Sequence, residues 1–254
     1  MNRDTDEVCL LGFHAVRARL RSAPQTISRI VFDGQRRDSR LAGLLRLAEQ
    51  NGVRSVADAP PSLDKLARGQ RHQGVVALAA RRAQPDSLSD LLELVEALPV
   101  QEQWMVVLDG VTDPHNLGAV LRSADAAGVA AVIAPRDRSA PLNDVAVRVS
   151  SGASDHIPYL QVTNLARALD ELQQAGYTVI GLAGEAEASL FDTDLRGRLA
   201  LVLGAEGEGM RRLTRERCDV LVSLPMRGAV ESLNVSVACG VCCYEAVRQR
   251  RRTG

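Results

Sequence analysis

LDGVTDPHNLGAVLRSAD, residues 108–125, joins an apolar run to an amphipathic helix through a polar turn. The run, WMVVLDGV at 104–111, is apolar almost throughout, which is typical of a strand buried on both faces of a parallel sheet. Asn116 is placed to N-cap a helix at 117–127, and Arg122 lies about one and two-thirds turns further on. The stretch therefore predicts a strand, turn and helix of an α/β fold, with polar side chains where the strand ends.

The same alternation of strands and helices continues towards the C-terminus. Apolar strands separated by helices indicate a parallel sheet that is covered on both faces. Ligands of such sheets bind beyond the carboxyl ends of the strands, so the loops there are the candidate sites. The predicted strands are 129–135, 177–183, 199–206 and 220–226, and the predicted helices are 141–153, 165–176, 210–217 and a last one from about 232 to 249.

Residues 1–82 have the pattern of a separate, smaller α/β unit. Helix-like stretches such as HAVRARLRS and SRLAGLLRLAEQNG alternate with strand-like ISRIVFD, VRSVAD and GVVALAA. Residues 83–103 hold two prolines and five acidic residues around one short helix, and we interpret them as a linker. The predicted organisation is a first domain at 1–82, a linker at 83–103 and a second domain at 104–254.

Charge distinguishes the two predicted domains. The whole chain has 31 Lys and Arg and 31 Asp and Glu, but residues 1–82 hold 15 basic and 8 acidic residues. A positive domain on an otherwise acidic protein is typical of binding to a nucleic acid. Codon bias explains the preference for Arg over Lys but not the position of the charge. The candidates for phosphate contacts are Arg17, Arg21, Arg36, Arg37, Arg40, Arg68 and Arg71.

The cysteines and the hydropathy pattern argue against several classes of protein. Five cysteines are an odd number, and Cys239, Cys242 and Cys243 lie on one face of an apolar helix, so we expect small buried side chains rather than disulfides. No second Cys or His pair offers further metal ligands, and we expect no metal site. No run approaches 18 apolar residues and the start is charged, which predicts a cytoplasmic protein without a membrane span.

Two more polar loops follow predicted strands. GAEGEGM at 204–210 has three glycines, but Glu206 and Glu208 would repel a phosphate, and no GxGxxG occurs. A neutral or cationic ligand suits such a loop better, and the sulfonium of S-adenosylmethionine is the cationic candidate for an adenosine pocket. PMRGAVESLN at 225–234 ends at a buried helix, for which Ser232 is the expected N-cap.

Each of these loops also has a purely structural interpretation. Asn116 and Ser232 are good helix caps on any protein. Asp113 and His115 are a possible acid and base, but the proline between them makes an ordinary turn the simpler account. The functional interpretation depends on three polar loops that all follow strands of one parallel sheet.

Three long stretches carry a resemblance to a known family. LDGVTDPHNLGAVLRSADAAGV, LVLGAEGEGMRRLT and LPMRGAVESLNVSVA resemble, in order, the signature motifs of the SpoU/TrmH branch of the SPOUT methyltransferases. These enzymes methylate ribose 2′-hydroxyls in RNA. GFHAV at 12–16 and RHQGVVA at 71–77 extend the resemblance into the first domain, so that it covers nearly the whole chain.

The resemblance implies features that the residue pattern does not. The family has a C-terminal trefoil knot in its catalytic domain, whereas chain-connection rules predict an unknotted sheet. Its members are homodimers with the site at the subunit interface. Its first domain is an L30e-like RNA-binding module, which agrees with the positive charge of residues 1–82.

The resemblance also implies a set of site residues, with S-adenosylmethionine as cofactor and no metal. Ala205 stands where many relatives have Ser, a change that a pocket lined by backbone should tolerate. The implied catalytic residues are Asn116, Arg122, Glu206, Ser232 and Asn234, and the implied cofactor-binding residues are Gly204, Leu224, Met226 and Leu233.

The resemblance implies that Arg122 is the residue proposed to activate the ribose. A guanidinium stays protonated at accessible pH, so we reject the role of general base for it. Our hypothesis is that Arg122 stabilises the developing alkoxide and holds the adjacent RNA phosphate, which relays the proton.

The strongest resemblance is to family members that methylate a guanosine in the peptidyl-transferase P loop of 23S rRNA. One alternative is a sister enzyme that modifies tRNA or another rRNA ribose, although tRNA enzymes often lack the first domain. A second alternative is a non-catalytic RNA-binding protein. The intact polar residues of the three motifs argue against it, and the absence of GxGxxG argues against a nicotinamide oxidoreductase.

Overall fold

The computed structural model describes residues 7–67, 69–80 and 84–251. They form two compact units, one made of residues before 84 and the other beginning at Gln84. Arg68, one of the candidate phosphate contacts, lies outside the described residues. None of the helices in the described ranges combines the length and the apolar character that a membrane crossing requires.

The first unit is a four-stranded sheet with three helices. The strand order is β1-β4-β2-β3, with β2 and β3 parallel and the other neighbours antiparallel. The predicted small α/β unit is confirmed, with an additional first strand that the sequence pattern did not indicate. Its elements are β1 Glu7–Leu11, α1 Gly12–Ser22, β2 Ile27–Asp33, α2 Ser39–Gln50, β3 Ser55–Asp58, α3 Pro60–Leu66 and β4 Val75–Ala80.

Successive side chains of β2 point to opposite faces of the sheet and belong to two separate parts of the core of the first unit. Ile30 is fully buried on the face that packs against α1 and α2. Val31 points to the opposite face, where it packs with Leu63 of α3 and Val76 of β4. Two helices therefore cover one face of this sheet and a short third helix covers part of the other.

The second unit has seven parallel strands in the order β7-β6-β5-β10-β8-β11-β9. The predicted parallel sheet is confirmed. Its elements are α4 Leu88–Glu96, β5 Trp104–Asp109, α5 Pro114–Ala127, β6 Ala131–Pro135, α6 Asp144–Val149, β7 Tyr159–Val162, α7 Leu165–Gln174, β8 Thr178–Leu182, β9 Ala188–Ser189, β10 Leu199–Gly204, α8 Arg212–Glu216, β11 Val220–Ser223 and α9 Val235–Arg250.

Helices cover both faces of this sheet, as the continuous apolar strands require. On one face α5 and α9 pack together over Val106, Leu201 and Leu203. On the other face α7 packs over Val107 and Val202. The trefoil knot that the resemblance implies stays a prediction.

The segment expected to be a linker is part of the second unit. Leu88, Leu91 and Val95 of α4 are buried in the same core cluster as Met105 and Val107 of β5. The spacing of these three residues places them on one helical face, and that apolar face packs against the sheet. The prolines and acidic residues of this segment lie outside the apolar face of α4. They dominate its composition, and for that reason the composition suggested a linker.

Other differences concern short elements. The helix predicted at 141–153 is shorter, with α6 at Asp144–Val149 and a separate turn of 3₁₀ helix at Ala153–Asp155. The strands β7 and β9 were not predicted, since four and two residues are too few to show a period. Gly118 of α5 explains the close approach of α6, because a Cβ there would lie 2.6 Å from the carbonyl oxygen of Ala146.

Candidate active site

A cavity of about 850 Å³ lies beyond the carboxyl ends of β8, β10 and β11. Its volume falls in the range of roughly 300–1,000 Å³ that is typical of small-molecule sites. This is the edge at which a parallel sheet binds its ligands, as expected from the sequence. The lining consists of residues 182–185, 203–210, 223–226 and 228–233, with Arg215, Val235 and Ala238.

Backbone forms one wall of the cavity, and Gly204 is the reason. Residues 205–209 form a hairpin in which the amides of Ala205 and Gly209 donate to each other's carbonyl oxygens at 3.1 and 2.9 Å. This hairpin folds back on the end of β10, so a Cβ on Gly204 would lie 2.1 Å from the carbonyl carbon of Gly209. No residue other than glycine fits at position 204 without moving the hairpin. Gly207, with φ of 80°, supplies the left-handed turn.

A buried carboxylate holds the C-terminal end of the loop that contains this hairpin. Asp109, the last residue of β5, is fully buried and accepts from the backbone amide of Arg211 at 2.8 Å and from its Nε at 2.6 Å. Both carboxylate oxygens are therefore paired, as a buried charge requires. Sequence reasoning missed this pair. The available signal was an acid that ends an otherwise fully apolar strand.

Three side chains from the three sequence motifs meet beside the cavity. Asn234 donates from Nδ2 to Oδ1 of Asn116 at 2.9 Å and to Oε1 of Glu206 at 2.5 Å. Nδ2 of Asn116 donates to the same Glu206 oxygen at 3.3 Å, and the amide of Val235 donates to it at 3.2 Å. We call Asn116, Glu206 and Asn234 the polar cluster. One carboxylate oxygen thus joins the starts of α5 and α9 to the hairpin.

The structure corrects both predicted N-caps. Asp113, and not Asn116, caps α5, because its Oδ1 accepts from the amide of His115 at 2.8 Å and Pro114 occupies the first helical position. Asn234, and not Ser232, caps α9, since its Oδ1 accepts from the amide of Ser236 at 2.9 Å. Because Asn116 does not cap the helix, its side-chain amide is available for the polar cluster.

Asp113 and His115 form a turn rather than an enclosed catalytic pair. Nδ1 of His115 lies 3.2 Å from Oδ1 of Asp113, and both side chains are more than half exposed. The hydrogen bond from the amide of His115 lowers the pKa of Asp113, with a smaller contribution from the imidazole. This carboxylate serves as a helix cap.

Six of the nine predicted site residues line the cavity, namely Gly204, Glu206, Leu224, Met226, Ser232 and Leu233. Asn116 and Asn234 contact Glu206 at its edge. Arg122 is the exception. It is exposed on α5, it does not line the cavity, and within the described ranges no hydrogen bond or ion pair joins it to the polar cluster.

The charge of the cavity lining is negative. Glu185, Glu206, Glu208 and Glu231 face a single cation, Arg215, which pairs with Glu185. Acidic side chains around a backbone wall favour a neutral or cationic ligand over a phosphate, as expected from the sequence.

The cysteine helix adds no reactive group to the site. Cys239, Cys242 and Cys243 are buried in the core between α9 and the sheet. Burial raises the pKa of Cys242 to about 12, so this thiol stays protonated. Within the described ranges, no group of three or more His, Cys, Asp or Glu side chains is arranged to hold a metal ion.

Comparison with known proteins shows the class to which this parallel sheet and its polar cluster belong. The model of the SpoU rRNA methylase family matches residues 103–244, and a model described as RNA 2′-O ribose methyltransferase substrate binding matches residues 9–85. The chain belongs to the SpoU rRNA methylase family.

Curated relatives of high identity carry one name. The chain is 57% identical over 241 residues, 95% of each chain, to the 23S rRNA (guanosine-2′-O-)-methyltransferase RlmB of Ralstonia nicotianae. It is 49% identical to the RlmB of Escherichia coli, over 95% of this chain and 98% of the relative. Among solved structures, the SpoU methyltransferase AviRb of Streptomyces viridochromogenes in complex with AdoMet is 29% identical with a TM-score of 0.67, covering 99% of this chain and 94% of that one.

Proposed function

We propose that this protein transfers the methyl group of S-adenosylmethionine to the ribose 2′-hydroxyl of a guanosine in the peptidyl-transferase P loop of 23S rRNA. The name shared by relatives at 57% and 49% identity over nearly the whole chain supports the substrate. Such a substrate places the enzyme in the cytoplasm, where ribosomes are assembled. The observation that carries the proposal is the polar cluster, which joins all three family motifs beside one cavity.

The cavity fits S-adenosylmethionine in charge and shape. The hairpin packs directly on Gly204, where a side chain is excluded, and residues 204–209 form a wall of the cavity that a ligand can contact. The acidic lining suits a sulfonium, and Leu224, Met226 and Leu233 offer apolar surface. The AdoMet complex of AviRb supports the same cofactor. When bound, this group supplies an activated methyl group, so that the protein must provide position and a deprotonated ribose oxygen.

The polar cluster is proposed to position the hairpin and the ribose. Oε1 of Glu206 accepts from Asn116, Asn234 and the amide of Val235, so a shift of one element moves the other two. Ser232, exposed at the rim, is left with a hydroxyl that can hydrogen-bond the nucleotide. Groups held in this way stabilise a transition state without reorganising during the reaction.

Arg122 is proposed to act from the partner subunit of a homodimer. Its exposed position on α5 lies outside the polar cluster of its own chain, which a contribution across an interface explains. A partly apolar surface is available for such an interface, because Val237 and Tyr244 of α9 are 51% and 55% exposed at a spacing of seven residues. Arg122 of the partner subunit then stabilises the developing alkoxide and holds the neighbouring phosphate.

The second candidate is methylation of tRNA. The tRNA-modifying TrmH/SpoU enzyme of A. aeolicus is 29% identical with a TM-score of 0.57, but it matches only 66% of this chain. The relatives named for 23S rRNA match 95% of the chain and therefore include its first unit. That difference favours rRNA.

The test is transfer of labelled methyl from S-adenosylmethionine to unmodified, protein-free 23S rRNA, followed by mapping of alkali-resistant linkages. One resistant linkage in the P loop of the peptidyl-transferase centre is the expected result. Transfer to tRNA alone would keep the chemistry and overturn the substrate. No transfer to either, with the cofactor still bound, would point to a ribosome assembly intermediate as the substrate.

A further inference from the structure

The first unit contains a second pocket that none of the motifs explains. It has a volume of about 430 Å³ and opens on the sheet face that α3 covers only in part. Its floor is aliphatic, formed by Val31, Val56 and Leu66. We call it the cationic pocket, and its full lining is Arg29, Val31, Arg54, Val56, Asp58, Ser62, Lys65 and Leu66.

The strand register places two arginines side by side in this pocket. Val31 of β2 pairs with Val56 of β3 in parallel, and Ile30 pairs with Ser55. Arg29 of β2 and Arg54, which immediately precedes β3, each lie two residues before one of the paired valines, and both line the pocket on the same face. Like charges at such positions destabilise a sheet unless a counter-charge is present.

The described part of the chain supplies too little counter-charge for this pocket. Within those residues, the side chains of Arg29, Arg54 and Lys65 make no hydrogen bond or ion pair, and all three are exposed. Asp58 is the only acid among the described residues that line the pocket, and its carboxylate accepts from the amide of Ala59. These described residues give the cationic pocket a net charge of +2, and none of its three cations forms an ion pair with them.

Three other arginines of the same unit have contacts within the fold. The guanidiniums of Arg36 and Arg40 each lie 4.7 Å from the centre of the Phe13 ring. Arg19 is fully buried and donates to Thr26 and to the carbonyl of Ala80. The cations of the pocket differ from these three because they have no such partner among the described residues.

We propose that the cationic pocket binds one unpaired nucleotide of the RNA substrate, separate from the nucleotide that is methylated. Arg29, Arg54 and Lys65 hold its phosphate, and its base lies against Val56 and Leu66. A pocket of this volume encloses one nucleotide, and the combination of cations with an apolar floor matches the two parts of that ligand. This inference rests on the proposed function, since it takes RNA to be the substrate.

The test compares single variants of the full-length protein on an unmodified 23S rRNA fragment that contains the P loop. Arg29→Gln and Arg54→Gln should each weaken RNA binding roughly tenfold and lower the slope of log affinity against log salt by about 0.7. KM for RNA should rise while kcat and cofactor binding stay unchanged. Arg46→Gln is the matched control, because it removes an exposed arginine from α2 on the opposite face.

A second variant distinguishes a pocket from a charged surface. Ser62 of α3 lines the cationic pocket, so Ser62→Phe should fill it without removing a cation. RNA binding should weaken although the net charge is unchanged. Unchanged binding by Ser62→Phe, or equal effects of Arg54→Gln and Arg46→Gln, would overturn the proposal. Methyl transfer to tRNA instead of 23S rRNA by the unaltered protein would overturn the proposed function, and the variants would then be compared on tRNA.

Discussion

The two pockets of this protein differ in the sign of their charge and in how nearby charged side chains are paired. At the edge of the seven-stranded sheet, Asp109 is fully buried and satisfied by Arg211, and Glu206 is bound by two asparagines and an amide. In the first unit, Arg29 and Arg54 stand exposed beside each other without a partner among the described residues. The first arrangement keeps groups in position for chemistry, and the second leaves charge available for a flexible polyanion.

This difference between the two pockets predicts which substitutions will reduce activity or binding most. A site with a backbone wall and a loop held by the buried Asp109 has little room to adjust, so single atoms matter. A site formed by exposed cations loses affinity in proportion to the charge removed.

Gly204→Ala should have the largest effect. The added Cβ would lie 2.1 Å from the backbone of the hairpin, so the hairpin must move away from the end of β10. Cofactor binding, measured by calorimetry, should be lost, and methyl transfer should fall by about 1,000-fold or more. Gly184→Ala is the control in the same cavity, because no atom lies within 4 Å of its new Cβ. Equal affinities of the two variants would contradict the backbone wall.

Arg122→Lys should lower kcat by about 100-fold, nearly as much as Arg122→Ala. An ammonium keeps the charge but lacks the planar fork that binds a phosphate through two donors. Cofactor affinity should be unchanged, since Arg122 does not line the cavity. A Lys variant with full activity would refute the role of the fork. Mixed dimers of Arg122→Ala with Asn234→Ala should regain activity if the partner subunit supplies Arg122.

Arg211→Gln should destabilise the fold more than Asp109→Asn. The first change leaves the carboxylate of Asp109 buried without its cation, at a cost of about 3–5 kcal/mol. The second leaves Arg211, whose side chain is 40% exposed and stays hydrated, so a cost of about 1–2 kcal/mol is expected. Urea unfolding at neutral pH measures both. If Asp109→Asn lowered the free energy of unfolding more than Arg211→Gln, the loop would not depend on the buried carboxylate of Asp109 in the way described.

Asp113→Asn should have the smallest effect, visible only against pH. The pKa of Asp113 is lowered in the folded protein, so its carboxylate adds stability above its unfolded pKa, and this is lost as pH falls through the lowered value. The stability of the variant should therefore depend less on pH in the acid range than that of the parent. Thermal unfolding between about pH 5 and 3 tests this. If the stabilities of the variant and the parent depended on pH equally, the pKa of Asp113 would not change on folding.

Sequence patterns predicted the edge of the sheet at which the cavity lies, but not the contacts around that cavity. Continuous apolar runs predicted the parallel sheet and therefore the edge where the cavity lies. The caps were misplaced by two or three residues, because Asp113, Asn116, Ser232 and Asn234 are all of types that cap helices well. Local preference alone does not choose among such neighbours.

The class of fold, the family and the polar residues of the three motifs can be inferred from the amino-acid sequence, because each depends on local order or on spacing along the chain. The pairing of Asp109 with Arg211, and the contacts of Glu206 with Asn116 and Asn234, are visible only in the folded protein. The tertiary structure also placed Arg29 beside Arg54 and Arg122 away from the polar cluster. Such pairings depend on strand order and register, which arise from packing between residues far apart in the chain.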